Sequence, residues 1–105
     1  MNIQSLAENL GLEKEEYLEL LDLFVDTAAS DMTALQSAIG EGNAEKAAGA
    51  AHSLKGAAGN LGLMEIHEHA KKMEADAREH RFDDVVGALV ILRSNLDTIA
   101  GLIAP

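Results

Sequence analysis

Asn43-Ala44-Glu45-Lys46-Ala47-Ala48-Gly49-Ala50-Ala51-His52-Ser53-Leu54-Lys55-Gly56-Ala57-Ala58-Gly59-Asn60-Leu61-Gly62 is the stretch from which the fold and the chemistry are read. Asn43 suits a helix N-cap, and the helix it opens runs to about residue 61. At about 100° per residue with His52 as zero, Ala47, Leu54, Ala58 and Leu61 share one side and form a core stripe. The opposite side carries Glu45, Ala48, Gly49, His52, Lys55, Gly56 and Gly59. One histidine stands on the outer face, with a lysine one turn later and small residues around both. A glycine inside a helix is worse than alanine by roughly 1 kcal/mol. Gly49, Gly56 and Gly59 all point away from the predicted core, so the spacing predicts that another molecule approaches the backbone beside His52; close helix packing is the other reading for Gly56 and Gly59.

Working outward, glycines divide the rest of the chain into helices. Ile3, Leu6, Ala7 and Leu10 line one side of a short first segment that stops at Gly11. Glu13, Glu15 and Glu16 open the next, where acids suit the positive end of a helix dipole. Tyr17, Leu21, Phe24, Ala28, Met32, Leu35 and Ile39 then follow at three- and four-residue steps. Gly40-Glu41-Gly42 ends that long helix. Beyond Gly62, a fourth carries Leu63, Ile66, Ala70, Met73 and Ala77, and a last one Phe82, Val85, Leu89, Leu92, Leu96, Ile99 and Ile103. Residues 1–105 are therefore expected to form one all-α domain, an antiparallel up-down four-helix bundle with a short additional N-terminal helix. Leu18, Leu20, Leu23 and Val25 give the long helix a second apolar face, which the N-terminal helix is expected to cover in part; a dimer contact is the other explanation.

Composition narrows the function. The 105 residues hold 18 acidic and 8 basic side chains, for a formal net charge of −10, and 48% are hydrophobic. That balance supports a core and argues against nucleic acid, whose binding rests on Lys and Arg. Cysteine is absent, excluding disulfides, thiolate metal sites and a Cys nucleophile. The N-terminus lacks a basic region before an apolar run, and the longest near-continuous apolar stretch, Val85 to Leu92, is too short to span a bilayer. A cytoplasmic protein with no membrane segment is the expectation. Glu65 with His69, and Asp76 with His80, have i,i+4 spacing, but two ligands do not make a metal site.

An exposed neutral imidazole is a nucleophile near neutral pH, since its ordinary pKa is about 6.5. If His52 accepts a phosphoryl group, the product carries close to two negative charges. Lys55, the only basic side chain between Lys46 and Lys71, then lies one turn away from that charge. A turn near residue 63 sets positions summing to about 126 level across the third and fourth helices, which places Glu74 beside His52. A carboxylate there can accept from one ring N–H and leave the other nitrogen free to attack.

The run from His52 to Gly62 resembles the signature of histidine-containing phosphotransfer (HPt) domains: His-x-x-Lys-Gly, two small residues, two free positions, an aliphatic residue and a glycine. The likeness extends through helix lengths and turns from about Tyr17 to Ile99. It implies a four-helix bundle with a short N-terminal helix. It also implies that His52 takes a phosphoryl group from a receiver aspartate or a histidine kinase and passes it to another receiver. By the same likeness Lys55 stabilises the phosphoryl oxygens, Gly56 permits close docking, and a Gln or Glu at the place of Glu74 hydrogen-bonds the histidine.

The chain has no P-loop or other nucleotide loop and so is expected to be a carrier without its own ATP site. No cofactor or metal of its own is expected; Mg²⁺ is assigned to the receiver partner. The partners implied are a response-regulator receiver domain, a hybrid histidine kinase, or both, docking over Ala48, Gly49, Gly56 and Gly59. A monomer is the default, and Met1 so near the fold favours a free-standing protein over a domain of a larger kinase. The competing reading is a non-catalytic helical adaptor that binds a partner through the same surface.

Overall fold

The computed structural model describes residues 1–103 and contains five helices and no strand among them: α1 (Ile3–Asn9), α2 (Lys14–Gly40), α3 (Ala44–Asn60), α4 (Met64–Arg78) and α5 (Phe82–Ile103). Helices α2 to α5 form a closed ring of neighbours: α2 packs on α3, α3 on α4, α4 on α5, and α5 back on α2. Helix α1 lies against α2. The all-helical reading holds.

Local chemistry explains where each helix starts and stops. Asn43 Oδ1 accepts from the Lys46 N–H at 3.0 Å, the N-cap expected for α3, and Asn2 Oδ1 caps α1 in the same way, accepting from the Ser5 N–H at 3.0 Å. At α2 the Glu16 carboxylate reaches back to the Glu13 N–H at 3.0 Å. The four connections share one turn, closed by hydrogen bonds from Leu12 to the Ala7 carbonyl, Asn43 to Ala38, Leu63 to Ala58 and Arg81 to Asp76. Its left-handed residue is Gly11, Gly42 or Gly62 in the first three and His80, with φ of 59°, in the fourth. Glycine meets that conformation without the Cβ clash that costs other residues about 1–2 kcal/mol.

The core is built from the predicted stripes. Tyr17, Leu21, Phe24, Ala28, Met32 and Leu35 of α2 are buried, as are Leu63, Ile66, Ala70, Met73 and Ala77 around α4 and Val85, Leu89, Leu92, Leu96 and Ile99 of α5. Tyr17 reaches furthest: its hydroxyl donates to the Leu61 carbonyl at 2.5 Å, tying α2 to the end of α3. On the second face of α2, Leu18 and Val25 pack against the core while Leu20 and Leu23 stay exposed. The N-terminal helix thus covers only part of that face, and Leu10, which follows it, is also exposed. Helix α5 corrects the membrane argument drawn from Val85–Leu92. Its 22 residues are long and apolar enough to cross a bilayer by length and composition. One stripe of it nevertheless fills the bundle core.

Candidate functional site

Helix α3 offers His52 because its wheel has one uncovered side. The buried residues Ala47, Ala48, Ala51, Leu54 and Ala58 span roughly 200° to 320° from His52. This arc is broader than the predicted stripe and rotated toward α4, since α3 is covered by α4 on one flank and α2 on the other. His52 sits at the edge of that covered arc, its side chain 65% exposed.

Helix α4 supplies the partner across the seam. Glu74 is buried, and its carboxylate takes the His52 ring: Nδ1 lies 3.1 Å from Oε2 and 3.3 Å from Oε1. An ionised carboxylate only accepts, so Nδ1 carries a proton, and in the neutral ring Nε2 then keeps the lone pair. Lys55 Nζ is 2.9 Å from Glu74 Oε1, and Arg78 Nη2 donates to Oε2 at 2.8 Å. The Lys55 bond, helped by those from Arg78 and His52, outweighs burial and holds the Glu74 carboxyl down at about 2. One carboxylate therefore anchors an imidazole and two cations.

The residues named from sequence divide into two groups. His52, Lys55 and Glu74 come together in one cluster. Gly49 and Gly56 lie exposed on the same face, and a Cβ added at either meets nothing within 4 Å. Ala48 does not belong to that surface: only 1% exposed, it is part of the core. Its methyl is short enough to fit beneath a neighbour on either side of the wheel, and the packed flank claims it. Gly59 is also corrected. It is half-buried, and a Cβ there falls 3.1 Å from His67 Nδ1, so this glycine makes room for a side chain of α4 and not for a partner.

Three further residues frame the site. Arg78 stands four positions after Glu74, a spacing at which Glu and Arg pair on a helix, so it was readable in principle. His67 Nδ1 donates to the Lys55 carbonyl at 3.0 Å. On the α2 side, Ser53 Oγ donates to Asp31 Oδ2 at 3.1 Å; burial raises the Asp31 pKa, against the lowering effect of that bond. Neither His67 nor Asp31 leaves a pattern in the sequence. The i,i+4 pairs considered for metal do other work: Asp76 binds Lys72 and Arg81 at the α4–α5 turn, and His69 stands 4.0 Å from Glu65 alone. Among the described residues no group of three or more acidic or histidine side chains could hold a metal ion.

Residues 19–101 match the Hpt domain family, a span that takes in α3, α4 and every member of the His52 cluster. The chain belongs to the Hpt family. Hpt domains carry phosphoryl groups in two-component phosphorelays, working with receiver domains and kinases. No curated protein and no solved structure gives a significant match to this Hpt domain. Its α3–α4 seam holds the charged cluster of His52, Lys55, Glu74 and Arg78.

Proposed function

We propose that this Hpt domain is a phosphorelay intermediate whose acceptor is His52 Nε2. What supports the reading most is the division of labour within one ring. Nδ1–H is held by the buried Glu74, while the side chain stands open to solvent and Nε2 has no partner among the described residues. The Nε2 lone pair attacks phosphorus of a receiver aspartyl phosphate, the P–O bond breaks, and the aspartate carboxylate departs. The ring then carries a positive charge beside the Glu74 carboxylate. In the onward step a second receiver's aspartate oxygen attacks phosphorus, the N–P bond breaks, and His52 leaves as neutral imidazole with its Nδ1 proton in place.

Lys55 and Arg78 are the counter-charges for the phosphoryl oxygens. Both rest on the Glu74 carboxylate that also holds His52 Nδ1. Gly49 and Gly56 form the clearing over which the partner docks. In this reading the bundle is antiparallel and up-down, and the domain is a monomeric cytoplasmic carrier with no ATP site. It binds no nucleic acid, and Mg²⁺ belongs to the receiver's acidic pocket.

The test is transfer from a panel of phosphorylated receiver domains in the presence of Mg²⁺. Acid-labile, base-stable label on the chain is expected for wild type and none for His52→Gln, with helical content equal in both. Stoichiometric label on His52→Gln overturns the assignment. Absence of label from every receiver, with partner binding that survives His52→Gln, favours the adaptor reading.

A further inference from the structure

We propose that His67 is a positioning residue for the His52 site, fixing the axial register of α3 against α4. The proposal rests on the phosphotransfer reading for its consequence, though not for its geometry. His67 and Glu74 are seven residues apart on α4 and so lie on nearly the same face, about 10 Å apart along the axis. Both reach Lys55, one from each end. Glu74 takes the Lys55 ammonium at 2.9 Å, and the His67 ring donates to the Lys55 carbonyl at 3.0 Å.

The need for such a device follows from what α3 presents to its surroundings here. Gly56, Ala57, Ala58 and Gly59 are small, so this part of the helix offers no large knob to lock into α4. A smooth helix face resists sliding poorly. His67 supplies the missing interlock: its ring occupies the notch at Gly59, where a Cβ would come within 3.1 Å, and its Nδ1–H ties the backbone one turn after His52. The carbonyl can only accept, which fixes the His67 tautomer as well. A slide of α3 along α4 carries His52 away from Glu74 and releases the proton that Glu74 holds on Nδ1.

His67→Asn and His67→Leu separate this from simple packing. The two side chains are near-isosteric, and Asn places an amide N–H where Nδ1–H lies. The first readout is the ¹⁵N spectrum of the His52 ring in the free domain. Wild type and His67→Asn are expected to show His52 as the Nδ1–H tautomer, and His67→Leu a mixture. The second is transfer kinetics: at saturating phosphorylated receiver the maximal rate of His67→Leu falls roughly tenfold with unchanged half-saturation, and His67→Asn restores it. Wild-type behaviour of His67→Leu in the ring spectrum overturns the proposal, and so does failure of His67→Asn to restore it. If wild type takes no label at His52, the phosphotransfer reading fails, while the ring spectra still decide the role of His67.

Discussion

Lys55 and Glu74 close a 2.9 Å ion pair beside His52, with the lysine side chain one-quarter exposed and Glu74 buried. The cation is thus stored on the same carboxylate that orients the nucleophile. In the proposed transfer, a phosphoryl group arriving on Nε2 competes with Glu74 for it.

That competition separates charge from orientation. Glu74→Gln keeps an oxygen acceptor for Nδ1–H and removes the charge that retains Lys55 and Arg78. It is expected to transfer within a few-fold of wild type, whereas Glu74→Leu, lacking an acceptor, loses roughly tenfold to a hundredfold. Single-turnover transfer measurements on both variants check the split; equal loss in the two would assign the effect to charge.

Glu74 also makes the fold sensitive to acid. Its carboxyl is depressed from an ordinary 4.5 to about 2, and Asp76 is depressed as well, chiefly by its bond to Lys72. A group whose pKa is lowered on folding contributes stability that is full above its unfolded value and lost as pH falls through the folded one. Thermal stability should therefore be flat with respect to Glu74 above about pH 4.5 and decline from there toward pH 2. In Glu74→Gln the decline should be shallower, measured by melting temperature across that range.

Gly56 opens onto solvent, so the fold gains and the relay loses when it is filled. Gly56→Gln is expected to stabilise the domain by about 0.5–1 kcal/mol through helix propensity. It should at the same time slow transfer roughly tenfold by misplacing the docked partner. Chemical denaturation and transfer assays on one preparation give both numbers, and an unchanged transfer rate removes Gly56 from the docking surface.

Gly59 should answer differently to the same change. Gly59→Ala drives its methyl against the His67 ring, which its bond to Lys55 holds in place. Gly56→Ala is therefore expected to be the more stable of the two variants by about 1 kcal/mol, the propensity gain that Gly59→Ala fails to realise. Equilibrium unfolding of the pair checks it.

Tyr17 links α2 to the end of α3 through the Leu61 carbonyl. Tyr17→Phe removes that donor and is expected to cost about 1 kcal/mol. For a domain of this size the melting temperature then falls by about 4–8 °C, read by calorimetry.

The sequence disclosed the helices because each carries a stripe at helical spacing, and its turns because three of them need glycine. It also placed Glu74, since a turn at residue 63 sets the register between two antiparallel helices. What it mislaid was Ala48 and Gly59, for a physical reason. A helical wheel ranks positions by their own side chains, but α3 is covered on two flanks, and small residues fit either under a neighbour or out in solvent. His67 escaped notice because its partners are a backbone carbonyl and a glycine, neither of which leaves a pattern to find. Arg78 was legible through its i,i+4 relation to Glu74.

The single uncovered side of α3 has a consequence for traffic through the relay. In the proposed relay, one ring nitrogen on one helix face gives donor and acceptor the same footprint, so the two cannot be bound together. Exchange through His52 is then a ping-pong cycle in which each partner obstructs the other. An abundant unphosphorylated receiver would throttle its own supply by occupying the berth at which the donor must unload.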